Sequence, residues 1–168
     1  MNHYTILGLA TVAILLTCIF PTFAYATIPK CVSLNGLPDG ICTPGAKDSK
    51  VTQSNIKDTI CKSGYTKTVR PPLSVTEKIK KQVMKNYGYA DSPKNYELDH
   101  LIPLEIGGAP RDVKNLWPEP SGIKLNFHEK DKFENYLHVQ VCSGKMNLFT
   151  AQNQIATNWV KYWNDTRK

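Results

Sequence analysis

The sequence predicts an α+β fold in which a two-stranded antiparallel hairpin is followed by a helix, with further helices on either side. Residues 96–103 have the composition of a strand, and residues 113–117 read as its partner after a loop that contains Gly107-Gly108. From residue 123 to residue 141, apolar side chains then recur with helical spacing. The order strand, loop, strand, helix therefore occupies the centre of the chain.

The first residues have the pattern of a targeting segment. Residues 6–20 are nearly all apolar, and Ala24-Tyr25-Ala26 is a small-x-small cleavage site. We therefore expect a signal peptide over residues 1–26 and a secreted or periplasmic protein with no stable membrane insertion after cleavage. Because residues 1–4 contain no Lys or Arg, an uncleaved membrane anchor is the alternative.

Residues 27–72 are predicted to form an arm rich in Cys, Pro and Gly. Its Pro and Gly pairs indicate turns, and we expect a short helix over residues 52–61 and a short strand over residues 65–69. Residues 73–168 are predicted to hold the hairpin with its flanking helices, and the arm joins them in one globular unit over residues 27–168.

Two helices are predicted beside the central segment. Ser74 and Glu77 have the spacing of a capping box at the start of the first helix, and Gly88 supplies its end. The last helix is expected over residues 148–163, with its apolar face buried.

Four cysteines remain after the predicted cleavage site. An even number in an exported chain favours two disulfides, for which three connectivities exist. The short Gly- and Pro-rich segment between Cys31 and Cys42 favours that pair, which leaves Cys61 with Cys142. No two of these cysteines have the Cys-x-x-Cys spacing of structural zinc sites.

The formal net charge of +7 suits an anionic partner. Nucleic acid, anionic lipid and cell-wall polymer are all partners of that kind. The alternative is that the basic surface only keeps the protein soluble. Four basic residues near the centre are candidates for phosphate contacts: Arg111, Lys114, Lys124 and Lys130.

The central segment carries residues suited to phosphodiester hydrolysis. An imidazole such as that of His100 accepts a proton near neutral pH, so it suits the activation of water. The carboxylate of Asp99 suits a hard divalent cation. Asn115 is placed to bond backbone groups across the Gly107-Gly108 loop and hold His100 in position.

In this segment the chain resembles the HNH nucleases, a ββα-metal family. That family has an Asp-His or His-His pair on its first strand, an Asn on its second and a His or Asn on its helix. Asp99-His100, Gly107-Gly108, Asn115-Leu116 and Lys130 follow this order between residues 96 and 134. The wider chain resembles exported bacterial proteins that carry such a domain, although it lacks the paired cysteine knuckles of many family members.

The resemblance implies a role for each of these residues. Asp99 would be a metal ligand, His100 the general base and Asn115 the residue that orients the loop. Asn126 is favoured as the ligand from the helix, and His128 is the alternative. The two lie two residues apart on a helix and face different directions, so only one can bind the metal. Asn126 would favour Mg²⁺ or Mn²⁺, whereas His128 would admit Zn²⁺ or Ni²⁺.

The predicted function is that of an exported, metal-dependent endonuclease with little sequence preference. DNA is the favoured substrate and RNA the other, and family resemblance implies 5′-phosphate and 3′-hydroxyl products. We expect a monomer. A toxin delivered to competitors would share this chemistry and have an immunity protein as partner. The alternative is an exported module that binds nucleic acid or an anionic polymer without cleaving it.

Overall fold

The computed structural model describes residues 31–168, and the predicted signal peptide lies outside them. The described chain is α+β, as the sequence predicts, and contains four α-helices and one two-stranded antiparallel sheet. No helix in this part of the chain is long and apolar enough to cross a membrane.

The sheet is the predicted hairpin, but its strands differ in position. Strand β1 covers Tyr96–His100 and β2 covers Leu116–Pro120, with Asp99 opposite Trp117 and His100 opposite Leu116. β2 begins three residues later than expected because Asp112 starts a turn. Its side chain accepts a hydrogen bond from the Lys114 N–H at 2.9 Å, and its carbonyl accepts one from the Asn115 N–H at 2.8 Å.

Helices precede the sheet, and they depart from the prediction in two ways. Residues 65–69 form the short helix α1, Tyr65–Val69, where a strand was predicted. Within residues 31–168 no strand pairs with this segment, and Tyr65 instead packs on the main core. Helix α2, Leu73–Tyr87, is followed by Gly88 with a φ of 65°, as predicted, but its N-cap is Pro72 and the predicted capping box does not form. Of the predicted helix over residues 52–61, only the 3₁₀ turn Gln53–Asn55 is helical.

The two remaining helices follow the sheet. Helix α3 covers Phe127–Cys142, so it begins four residues later than predicted, and α4 covers Leu148–Asp165. These two helices pack against each other and against the turn Leu104–Ile106. The main core lies between them and contains these fully buried side chains: Ile102, Ile106, Phe133, Leu137, Val141, Ile155 and Trp159.

Both predicted disulfides are present. Cys31–Cys42 ties the two ends of a short loop in the arm, and Cys61–Cys142 joins the segment before α1 to the end of α3. The arm also bonds to the core, because the indole N–H of Trp159 donates to the Gly36 carbonyl at 2.8 Å. Helix α2 packs on β2, and Cys31 of the arm packs with Tyr87 of α2 and Trp117 of β2.

Candidate active site

His100 is the last residue of β1, and its side chain is almost fully buried, with 9% of the residue exposed. Its Nε2 lies 3.1 Å from the carbonyl oxygen of Pro110. A carbonyl oxygen only accepts, so Nε2 carries the hydrogen and Nδ1 holds the free lone pair of the neutral ring. Burial lowers the pKa of His100 below its usual value of 6.5. The ring is therefore neutral near pH 7, in the form that accepts a proton.

Asn115 fixes the loop that follows His100. Its Oδ1 accepts from the Ile102 N–H at 2.9 Å, and its Nδ2 donates to the carbonyls of Ile102 at 2.9 Å and Ala109 at 3.2 Å. The side chain thus spans the Gly107-Gly108 turn, as the sequence predicts. The turn needs glycine, because a Cβ on Gly108 would lie 1.8 Å from the Ile102 oxygen and 2.8 Å from Asn115 Nδ2.

Lys130 lies at the centre of a buried charge cluster. Its side chain is fully buried, and its ammonium forms ion pairs with Asp99 Oδ2 at 2.8 Å and with Glu134. It also donates a hydrogen bond to the His100 carbonyl at 2.7 Å. Burial alone lowers the pKa of Lys130, but the negative charge of Asp99, followed by that of Glu134, outweighs burial and holds the pKa above its usual value. A single cation therefore joins α3 to the end of β1.

Carboxyl groups crowd around this cation. Burial, and then the charge of Asp99, raises the pKa of Glu119 to about 10, so Glu119 is neutral near pH 7. Burial and Asp99 also raise the pKa values of Glu134 and Asp131. The acids outnumber the one lysine among them, and pKa values displaced in this way are typical of functional sites.

A cavity of about 340 Å³ opens over these groups. Asp99 and His100 form one side, and His128, Asp131 and Glu134 of α3 form another. The cavity thus brings together the predicted base, one predicted metal ligand and the alternative residue from the helix. Arg70 completes the wall from the segment between α1 and α2.

Asn126, the favoured ligand from the helix, has a different position. It is the N-cap of α3, where its Oδ1 accepts from the His128 N–H at 3.1 Å and its Nδ2 donates to the Ser121 carbonyl at 3.2 Å. The cap uses the oxygen that a metal would need, and Asn126 does not line the cavity. The geometry therefore favours His128 over Asn126.

The donor chemistry of the cavity fits a divalent cation. Asp99 and Asp131 offer carboxylate oxygens and His128 offers an imidazole nitrogen, and the crowded acids leave a negative potential that a cation would relieve. Within residues 31–168, the only three candidate ligands whose atoms lie within 4.8 Å of one another are Cys61, His138 and Cys142. Those two cysteines form a disulfide and offer no thiolate.

The four predicted phosphate contacts separate into two groups. Arg111, Lys114 and Lys124 are exposed, and they remain predictions. Lys130 cannot contact a phosphate from solvent, because its side chain is fully buried and already paired, so that prediction was wrong. The i, i+4 spacing of Lys130 and Glu134 was the available signal for an ion pair. No comparable signal in the sequence indicated Arg70, which lies 30 residues from His100.

Comparison with known proteins adds no assignment. No protein-family model matches the chain, and neither a curated protein nor a solved structure matches it.

Proposed function

We propose that this protein is an exported, metal-dependent endonuclease of the HNH type that hydrolyses phosphodiester bonds in DNA or RNA with little sequence preference. One observation carries the proposal. His100 is a neutral imidazole with its hydrogen on Nε2, and it shares a cavity with Asp99 and His128. A general base beside hard and borderline metal ligands is the minimum that metal-assisted hydrolysis requires.

In the proposed reaction, Nδ1 of His100 takes the proton of a water as that water attacks phosphorus. The lowered pKa keeps this nitrogen free near pH 7. Asn115 acts at a distance from the phosphate, because it sets the course of the loop whose Pro110 carbonyl orients the ring. Lys130 also acts without touching the phosphate, since it bonds the His100 carbonyl and pairs with Asp99 and so holds both residues in position.

Asp99 and His128 are the residues that would hold the metal, with Asp131 on the same cavity wall. When bound there, a divalent cation would neutralise charge developing on the phosphate and stabilise the leaving oxygen. Because His128 replaces Asn126 in this proposal, Zn²⁺ and Ni²⁺ join Mg²⁺ and Mn²⁺ as candidates. Export is supported by the two disulfides, which are typical of oxidising compartments.

The test is digestion of plasmid DNA and of a structured RNA with each of the four metals and with EDTA. We expect cutting with at least one metal and none with EDTA. His100→Ala should abolish cutting with little change in melting temperature. His138→Gln is the control, because His138 lies on α3 outside the cavity and bonds the Ile60 carbonyl at 2.9 Å. Equal cutting with EDTA, or full activity of His100→Ala, would refute the mechanism.

One observation favours the second candidate, a module that binds nucleic acid without cleaving it. The ammonium of Lys130 already neutralises Asp99 at 2.8 Å, and within residues 31–168 no group of three ligand residues that includes Asp99 or His128 has its ligand atoms within 4.8 Å of one another. Such a module would bind DNA equally well with metal and with EDTA, would show the salt dependence of phosphate contacts and would turn over no substrate. The same digestion, combined with a binding measurement, separates the two candidates.

A further inference from the structure

A second, larger depression adjoins the candidate active site. It is an open groove of about 740 Å³. One wall consists of Arg70 and the first turns of α2, and the other consists of residues 93–98, which lead into β1. The groove shares Arg70, Glu97, Leu98 and His100 with the smaller cavity. A molecule lying along the groove would therefore reach the proposed base.

The groove has an excess of positive charge. Four basic side chains line it, against the two carboxylates of Glu77 and Glu97; the four are Arg70, Lys80, Lys81 and Lys94. Lys80 is bonded to the Tyr96 carbonyl at 2.6 Å and holds the two walls together. Arg70, Lys81 and Lys94 are exposed, and none of them forms an ion pair within residues 31–168. Three cations are thus available to an anionic ligand.

Apolar side chains lie between these cations. Leu73 is 71% exposed although it is the first residue of α2, and Pro71, Pro93 and Leu98 line the groove with it. A ligand that carries only charge would gain nothing from such a surface. A chain of phosphates that also carries rings with flat apolar faces would contact both the cations and the apolar surface.

We propose that this groove binds a single strand of nucleic acid. The phosphates lie against Arg70, Lys81 and Lys94, and unpaired bases contact Leu73 and its apolar neighbours. A duplex keeps the faces of its bases stacked inside. It can therefore place phosphates against the cations, but it cannot place base faces on the apolar surface. Delivery of a phosphodiester to His100 rests on the proposed function, whereas binding in the groove does not.

The test measures binding by fluorescence anisotropy in EDTA, so that no strand is cut. Labelled single strands of about 12 nucleotides, close to the upper end of common single-strand site sizes, are compared with duplexes of the same sequence. DNA and RNA strands form separate arms. In the DNA arm, the RNA arm or both, we expect the single strand to bind at least about tenfold more tightly than the duplex of the same sequence.

The decisive variant is Arg70→Gln/Lys81→Gln/Lys94→Gln. Each phosphate contact on a single strand contributes about 0.7 to the slope of log K against log salt, so the loss of three should reduce the slope by about 2. Affinity should fall about tenfold or more at moderate salt. The control Lys57→Gln/Lys62→Gln/Lys145→Gln removes the same charge from exposed residues outside the groove. Equal losses in the two triple variants would overturn the proposal.

Two single variants test the charge and the apolar surface of the groove separately. Both change exposed side chains, so we expect the protein to remain folded. Glu77→Gln removes an exposed carboxylate that lines the groove and should tighten binding. Leu73→Ala should weaken the binding of single strands and leave the binding of polyphosphate unchanged. Competition by polyphosphate as effective as that by an oligonucleotide would overturn the proposed role of the bases.

These outcomes are separable from failure of the proposed function. Tight binding in the groove without any cleavage under the four metals would leave this inference standing and remove the nuclease. Cleavage by Arg70→Gln/Lys81→Gln/Lys94→Gln with an unchanged KM would support the nuclease and overturn binding in the groove.

Discussion

The ammonium of Lys130 lies 2.8 Å from Oδ2 of Asp99, so the residue proposed to bind metal is held by a cation that solvent does not reach. The same ammonium donates to the carbonyl of His100 at 2.7 Å. One lysine on α3 therefore positions two consecutive residues at the end of β1. Successive side chains of a regular strand point to opposite faces, yet Asp99 and His100 at the end of β1 both line the one cavity.

Replacing Lys130 by methionine should be strongly destabilising. The change would leave the carboxyl groups of Asp99 and Glu134 buried without their cation, and breaking a buried pair in this way typically costs about 3–5 kcal/mol. Urea unfolding followed by circular dichroism measures the loss. The matched control is Lys132→Met, whose lysine is exposed and pairs with Glu129 on the surface. A Lys130→Met loss no larger than that of the control would show that the buried pair has no structural importance.

Asn115→Ala should loosen the loop between Ile102 and Ala109. It removes three buried hydrogen bonds to the backbone and leaves the Ile102 N–H without its acceptor. The cost is roughly 4–6 kcal/mol if each bond contributes about 1 kcal/mol and the orphaned group adds a desolvation penalty of about 1–3 kcal/mol. Hydrogen exchange of the Ile102 amide should accelerate. Asn135→Ala is the control, because Asn135 is exposed and makes one bond to the Asp131 carbonyl. Unchanged protection at Ile102 would contradict the proposed support of the loop.

The elements that local sequence determines were predicted correctly. The hairpin, α2, α3 and α4 each have a pattern that spans several turns or alternations, and both disulfides were assigned their partners. Residues 65–69 were predicted wrongly because five residues carry too little pattern, and their contact with the core decides the outcome. The sequence could not show that residue 70 would lie beside residue 100.

The candidate site shows the same division. The roles of Asn115 and of the glycine pair follow from residues close together in the chain, and the observed hydrogen bonds match them. Lys130 looked like a surface cation, because its partners Asp99 and Glu119 come from the two strands of the hairpin. Asn126 was favoured as a ligand by the family resemblance, and because α3 was predicted to begin at residue 123, the sequence did not identify Asn126 as its cap.

His100 should titrate below its usual range. Burial lowers its pKa below 6.5, so the folded protein binds fewer protons at this ring than the unfolded chain does. The resulting stabilisation is present above pH 6.5 and is lost as pH falls through the folded-state pKa. NMR titration of the imidazole resonances, assigned by comparison with His100→Gln, measures this pKa without any turnover. A midpoint at or above 6.5 would contradict a buried, neutral base. If the protein cuts nucleic acid, the acidic limb of kcat/KM should lie at the same pH.

Glu119→Gln should stabilise the protein, and increasingly so as pH rises. The Glu119 pKa is raised by burial and by Asp99 from 4.5 to about 10, so the native state holds a proton that the unfolded chain releases. Its contribution is greatest below pH 4.5 and declines as pH rises through about 10. Glutamine resembles the neutral carboxyl and has no such decline. At pH 7, about 2.5 pH units above the unfolded value of 4.5, the gain is at most about 3.4 kcal/mol.

The strand pairing of Glu119 supplies the control for that experiment. Glu97 lies directly opposite Glu119 on β1 but is exposed, so Glu97→Gln removes the same charge from the same pair of strands without a buried carboxyl. Urea unfolding at pH 4, 6 and 8 should give a stability difference from the unmodified protein that grows with pH for Glu119→Gln and stays constant for Glu97→Gln. A constant difference for both variants would mean that Glu119 is ionised in the folded protein. Lys130 would then have a second negatively charged neighbour in Glu119, in addition to Asp99.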